Sequence, residues 1–193
     1  MLLDAAAEII CREGVADLSL EQIGLAAGVS KSLVYKYFSS ILELMKELLE
    51  RELKAQRRLQ FVAAEQAETF EELIRNITHA YLGYIEERGL IIERLQAEPS
   101  VSQSHDPTDF GRHGAVEYLA KIVARHFDMP IELARAATDV SFGLPSAAGH
   151  YLLRQEMPRE QLEDLTVSMI IGSITSFHTD YLARKQKLDR SSN

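Results

Sequence analysis

One cysteine, Cys11, stands in a chain of 193 residues. An internal disulfide framework is therefore excluded, as is any zinc or redox site built on paired cysteines. No apolar run approaches the ~18 residues that a bilayer-spanning helix needs, and the N-terminus lacks a basic-then-apolar signal layout. The expected location is the cytoplasm. Strand signals are missing as well. No segment alternates apolar and polar residues at period two, and neither Asn-Gly nor Asp-Gly occurs.

The signatures of catalysis are equally scarce. There is no G-x-S-x-G elbow, no Walker A loop and no dinucleotide glycine fingerprint. His79, His105, His113, His126, His150 and His178 include no i, i+4 pair and no H-E-x-x-H. His105 adjoins Asp106, but adjacency alone makes no metal site. Cys11 falls on an apolar helix face beside Ile10 and reads as packing rather than as a nucleophile. The expectation is a protein that is not an enzyme, with no metal and no cofactor.

What is present is charge, unevenly spread. The formal net charge is −8, which taken whole argues against a nucleic-acid partner. Residues 1–60, however, hold eight Lys/Arg and nine Asp/Glu, whereas residues 61–193 hold thirteen and twenty. The acidity thus lies mainly in the second part. In the first, no acidic residue occurs between Glu21 and Glu43, and Lys31 and Lys36 lie in that interval. It forms a positive island in an acidic protein.

Apolar residues recur at three and four almost everywhere, so the fold class is all-α, with about nine helices. A first helix carries Leu3, Ala6, Ala7 and Ile10 and stops at Gly14. Ser19 with Gln22 reads as a capping box opening a second helix, which Gly28 breaks. Ser30 caps a short third helix, and Ser40 with Glu43 opens a fourth, running to about Phe61. Further on, the pattern predicts helices over Phe70 to Glu87, Leu90 to Glu98 and Asp109 to Phe127. Another runs from Pro130 to Leu153, kinked or interrupted at Pro145, and a last one from Pro158 to about Lys187, with a fraying tail. Pro99 to Pro107 is the most loop-like stretch.

The informative segment is Leu18 to Leu44. Two short helices meet at a tight turn centred on Gly28, where a positive φ is needed. Ile23, Ala26, Ala27 and Val29 offer the small apolar surface for a close crossing. This is a helix-turn-helix pattern, whose second helix enters the major groove by its N-terminal end. Ser30 can offer its hydroxyl and the helix amides to a phosphate. Lys31, Ser32 and Lys36 can reach phosphate or base edges, and Tyr35 and Tyr37 join an apolar body to a hydroxyl tip. The plainer alternative is a pair of packing helices with Tyr and Phe in the core.

The residues around the turn resemble the TetR family of transcriptional repressors. The family commonly reads AGVSKGTLYHHFPSKEEL, and Ala27-Gly28-Val29-Ser30-Lys31, Tyr35 and Phe38 fall at the same spacing. Glu13-Gly14-Val15, Ser19 and Ile23 resemble the end of its first helix and the start of its second. The resemblance is specific over residues 1–50. Four features depart from it: Ser32 replaces a glycine, Leu33 a threonine and Ile41 a lysine, and Met1-Leu2-Leu3 carry no basic residues. Leu33 can touch a thymine methyl but supplies no hydroxyl. The resemblance implies DNA-binding residues at Ser19, Ser30, Lys31, Ser32, Leu33, Tyr35, Lys36 and Tyr37, with fewer phosphate contacts than usual.

It implies a helix-turn-helix DNA-binding domain at 1–45 and a helical ligand-binding and dimerisation domain at 46–193. Ala134, Ala137, Val140, Ser141 and Leu144, with Leu165, Val167, Met169, Ile170, Gly172, Ile174 and Phe177, could build an intersubunit four-helix bundle. They could equally bury each helix inside the monomer. Candidate ligand-binding residues are Tyr81, Tyr84, Ile85, Leu95, Phe110, His113, Tyr118 and Phe142, a set that also fits an ordinary core. The expected function is a ligand-responsive transcriptional regulator, a repressor, that binds palindromic operator DNA as a homodimer and is released by a small-molecule effector. Two alternatives remain open: a helical small-molecule-binding protein or enzyme without DNA function, and a protein-interaction module that uses the two short helices for packing.

Overall fold

The computed structural model describes residues 1–102, 107–155 and 157–191, and the side chains of all of these except 107–111 and 188–191. Among the described residues every regular element is a helix: α1 (Leu2–Glu13), α2 (Leu20–Ala26), α3 (Lys31–Tyr37), α4 (Ile41–Glu65), α5 (Phe70–Ala97), the single turn α6 (Pro99–Ser102), α7 (Pro107–His126), α8 (Ile131–Ser141), α9 (Gly143–Leu153) and α10 (Arg159–Ser191). The chain forms two compact units. One comprises Met1–Arg58 with Glu87–Phe110, the other Leu59–Glu86 with Gly111–Asn193. No described helix is long and apolar enough to cross a membrane.

Most differences from the sequence expectation lie at helix ends. The stretch expected as two helices, 70–87 and 90–98, is one helix, α5. Gly89 lies buried within it, close to buried Ile91 and Ile92, so packing outweighs the ~1 kcal/mol that a helical glycine costs relative to alanine. Pro99 ends α5 as expected but then starts a turn rather than a loop. Val101 is buried there, and the Ser102 amide donates to the Glu98 carbonyl at 3.1 Å. The remainder of the expected loop, residues 103–106, lies outside the described residues. Pro145 does interrupt the 130–153 pattern, but the break falls upstream at Phe142. The helix restarts at Gly143, so Pro145 sits in its first turn, where an amide hydrogen has no intrahelical partner to lose. The last helix continues beyond Lys187, to Ser191.

Both expected capping boxes form by half. The Ser19 hydroxyl accepts from the Gln22 amide at 3.2 Å, but the Gln22 side chain donates to Glu13 Oε2 at 2.9 Å instead of returning. Likewise Ser40 Oγ accepts from the Glu43 amide, while Glu43 Oε2 takes the amide and hydroxyl of Ser39, each at 2.7 Å. The carboxylate has shifted by one residue and still satisfies a free donor.

The first unit buries Ile10, Ile23, Val34, Leu44, Leu48, Ile91 and Leu95 completely. One carboxylate is buried with them. Glu52 is only 2% exposed. It accepts a bidentate pair from Arg88, both bonds at 2.8 Å, and a bond from Arg51 Nη2 at 2.9 Å. Burial of a carboxylate is tolerable only with such partners. Arg51 also reaches Asp4 on α1 at 2.6 Å. Arg94 donates to the carbonyls of Ile10 and Cys11, the latter at 2.9 Å. A cation there meets the negative end of α1, where the Ile10 carbonyl also accepts from the Gly14 amide at 3.0 Å. Cys11 itself is half-buried rather than a core residue.

The second unit has two apolar clusters. Phe70, Leu73, Val123, Met129, Ala134, Ile170 and Ile174 form one, and Leu82, Ile85, Ala148, Leu152 and Leu162 form the other. Four residues expected at a dimer interface, Ala134, Val167, Ile170 and Ile174, are therefore buried within the monomer. Their faces point at the unit's own core, a distinction that the apolar pattern alone does not carry.

The α2–α3 crossing is the tightest described contact made by a glycine. A Cβ built on Gly24 would lie 2.7 Å from Cγ2 of Val34, which is fully buried. Gly24, not Ala26, provides the close approach; Ala26 is exposed. Gly24→Ala should therefore destabilise the protein by ~1–3 kcal/mol through overpacking, read as a lower midpoint in thermal denaturation. An unchanged midpoint would mean that Val34 can move aside freely.

Candidate nucleic-acid interface

The two short helices are oriented by local chemistry. Gly28 adopts φ +67°, the left-handed conformation expected at the turn, with its amide donating to the Leu25 carbonyl at 3.1 Å. The Val29 amide donates to the Gly24 carbonyl at 2.9 Å. Ser30 then caps α3, its hydroxyl accepting from the Leu33 amide at 3.3 Å and lying 3.1 Å from the Ser32 hydroxyl.

From this start α3 buries one side chain, Val34, and exposes the rest. Lys31, Ser32, Leu33, Tyr35, Lys36 and Tyr37 all face solvent, with Tyr37 63% exposed. The reading of the tyrosines as core residues is thereby excluded. A helix that leaves two phenol rings and a leucine uncovered has an apolar and hydrogen-bonding face free for a partner. Of the eight residues expected at DNA, seven, from Ser30 to Tyr37, share this exposed element. Ser19 stands apart, half-buried at the N-terminus of α2.

The electrostatics hold something not visible in the acid-free interval. Glu21 reaches from the first turn of α2 across to α3. Its Oε1 lies 2.9 Å from Lys31 Nζ and accepts from the Tyr35 hydroxyl at 2.7 Å. The Lys31 ammonium also lies 5.6 Å from the centre of the Tyr35 ring. Hydrogen bonds from Lys31 and Tyr35 push the Glu21 carboxyl down to about 2, while the same bonds raise both partners above their ordinary values. Glu21 consequently stays charged throughout the neutral range. Lys36, by contrast, makes no ion pair among the described residues. Sequence reasoning missed Glu21 because ten positions separate it from Lys31. The available signal was the turn itself, which brings the start of α2 beside the start of α3.

The residues expected to bind ligand are more scattered. Tyr81 and Ile85 come together on α5, where both lie within 3.5 Å of the Cβ position of Gly149. Desolvation pushes the Tyr81 phenol up to about 12, against a hydrogen bond from Ser146. Tyr84 is half-buried, Tyr118 is 41% exposed with its ring 6.1 Å from Phe61, and His113 is exposed. Phe142, at the α8–α9 junction, lies 5.7 Å under the Arg112 guanidinium. Leu95 belongs to the core of the first unit. The Phe110 side chain lies outside the described residues. No group of three or more His, Cys, Asp or Glu among the described residues is placed to hold a metal ion.

Residues 2–48 match the family model described as bacterial regulatory proteins, tetR family. No curated protein matches the chain. Among solved structures it is similar to a TetR-like transcriptional regulator from Rhodococcus sp. RHA1, at 18% identity and TM-score 0.69, covering 90% of this chain and 93% of that one. It is also similar to the TetR-like regulator LfrR from Mycobacterium smegmatis, solved with proflavine, at 21% identity and TM-score 0.63, covering 89% and 94%. The fatty acid degradation regulator FadR from Bacillus halodurans aligns at 13% identity and TM-score 0.69, covering 88% and 92%. At these identities the likeness establishes a shared fold.

Exposed and without an ion pair among the described residues, Lys36 is the α3 cation most available to a phosphate. Replacing it by alanine should reduce the slope of log affinity for duplex DNA against log salt by about 0.9 per subunit, the value for one phosphate contact. An unchanged slope would place Lys36 away from the backbone.

Proposed function

With residues 2–48 carrying a TetR-family helix-turn-helix, we propose that this chain is a transcriptional regulator, a repressor, that binds palindromic operator DNA as a homodimer and is released by a small-molecule effector. The observation that carries the reading is α3. Its Ser30 cap and the exposed row Lys31, Ser32, Leu33, Tyr35, Lys36 and Tyr37 combine phosphate, base-edge and apolar contacts on one element. Residues 1–45 are the proposed DNA-binding domain and 46–193 the ligand-binding and dimerisation domain.

Support for a second copy comes from the outer side of α10. Leu165, Met169, Gly172 and Ser176 are exposed at i, i+4, i+7 and i+11, a single stripe along the helix. Gly172 has nothing within 4 Å of its Cβ position, so no neighbour within the monomer requires a glycine there. Small residues in an uncovered stripe suit close approach by a partner helix. Val140 on α8 is likewise 81% exposed. Val140, Leu165, Met169, Gly172 and Phe177 are the part of the expected interface that the monomer leaves exposed, and Ser176 extends the stripe.

The effector acts by differential affinity. A homodimer would set its two α3 helices in successive major grooves about 34–36 Å apart. A small molecule that prefers a conformer with another spacing releases DNA, and one that binds both conformers equally does nothing. Tyr81 and Ile85, one apolar face with a desolvated hydroxyl beside it, are the expected ligand-binding positions that the second unit brings together. Tyr84, His113, Tyr118 and Phe142 complete the proposed set within that unit.

Titrating the purified protein against its own upstream DNA and against unrelated DNA, over a range of salt, tests the DNA reading. Sequence-preferring binding with a steep salt slope is expected. Binding no tighter than to unrelated DNA would count against an operator there. For the assembly, Met169→Glu should convert a dimer to a monomer in sedimentation velocity. A wild-type chain already monomeric at micromolar concentration would reject the α10 interface.

A further inference from the structure

We infer that Glu21 is a built-in competitor for the DNA backbone, an anion that occupies Lys31 and Tyr35 until a phosphate displaces it and so sets how strongly α3 holds duplex DNA of any sequence. The inference rests on the DNA-binding reading above and adds a residue to it.

The geometry is that of a phosphate contact made internally. A carboxylate oxygen takes the Lys31 ammonium at 2.9 Å and the Tyr35 hydroxyl at 2.7 Å, two donors that a backbone phosphate would otherwise receive together. Lys31 opens α3 and Tyr35 follows one turn on, so both donors share one side of the helix. All three side chains are exposed, Glu21 by 48% and Lys31 by 68%. The pair is therefore held weakly, is screened by salt, and can exchange its anion without unfolding anything. Among the described residues, that leaves Lys36 as the α3 cation without an ion pair.

Charge explains why such a competitor is useful. Sequence-independent affinity grows with each phosphate neutralised, so every uncommitted Lys strengthens binding to the wrong DNA as well as the right. A carboxylate that must be displaced subtracts from that term. It leaves intact the hydrogen-bonding capacity of Tyr35 and Lys31 once a site opens the clamp. Specificity is then raised by weakening the background rather than by adding a contact.

The test uses the full-length protein and an unrelated duplex, with affinity measured over a salt series for wild type, Glu21→Gln, Glu21→Ala, Lys31→Ala and the Glu21→Gln/Lys31→Ala double variant. Glu21→Gln and Glu21→Ala should each tighten binding roughly three- to tenfold at low salt and steepen the salt slope by up to about 0.9 per subunit. In the Lys31→Ala background most of that gain should vanish. Glutamine keeps a hydrogen-bond acceptor for Tyr35, whereas alanine does not. If Glu21 merely positions Tyr35, glutamine will be neutral and alanine will weaken binding, and the inference is overturned. Unchanged affinity and slope in both variants overturn it as well. Absence of duplex binding by wild type and variants alike would instead reject the DNA-binding reading itself, and the inference with it.

Discussion

Everything exposed on α3 depends on one steric condition, the contact between Gly24 and Val34. A seven-residue helix has too few internal hydrogen bonds to persist on its own, and here it is fixed by a single fully buried side chain. That side chain can be buried only because α2 presents a hydrogen atom where any other residue would present a carbon. With Val34 seated, the helical period turns the remaining side chains outward. The exposed face is thus a by-product of how little of α3 enters the core.

Several other charges of the first unit are committed to holding helices together. Glu52 gathers Arg51 and Arg88, Arg51 extends to Asp4, and Arg94 covers the last carbonyls of α1. Arg12 is paired with its neighbour Glu13. A count of basic residues over 1–60 therefore overstates what is available to a partner. What matters is that, among the described residues, the cations of α3 make one ion pair, Lys31 with Glu21, and that this carboxylate is exposed. The acidic total of the chain is compatible with an anionic partner because it is spread over surfaces other than α3.

Much of the architecture was legible in the sequence. Ser19, Gly28, Ser30 and Ser40 marked helix boundaries that the structure keeps, because capping and positive φ are local demands met by particular residues. Features set by distant packing were not legible. The break expected between Glu87 and Leu90 is absent, because the burial of Ile85, Ile91 and Ile92 along it sustains α5. The α10 pattern gave no means of telling Ile170 and Ile174, which are buried, from Met169, which is exposed, since a two-sided apolar helix has no unique inner face. Gln22 and Glu43 had the right spacing for reciprocal caps but found better partners in Glu13 and Ser39. Leu95, an aliphatic grouped with pocket candidates, proved to be core of the other unit. The Glu21 contacts were hidden for the same reason as the Glu52 pair: both join residues whose proximity only the fold creates.

The bond from Arg94 to the end of α1 also bears on synthesis. The helix-turn-helix is complete in sequence by Tyr37 and the first stretch of its unit by Arg58, yet that unit takes in 87–110 and α1 is met by a side chain more than eighty positions downstream. A ribosome adding ~5–20 residues per second needs about 2–7 s to pass from Arg58 to Arg94. During that interval the helix-turn-helix is exposed without the second segment of its own unit. The helices of the first unit can therefore close into it only after the 87–110 segment has been made.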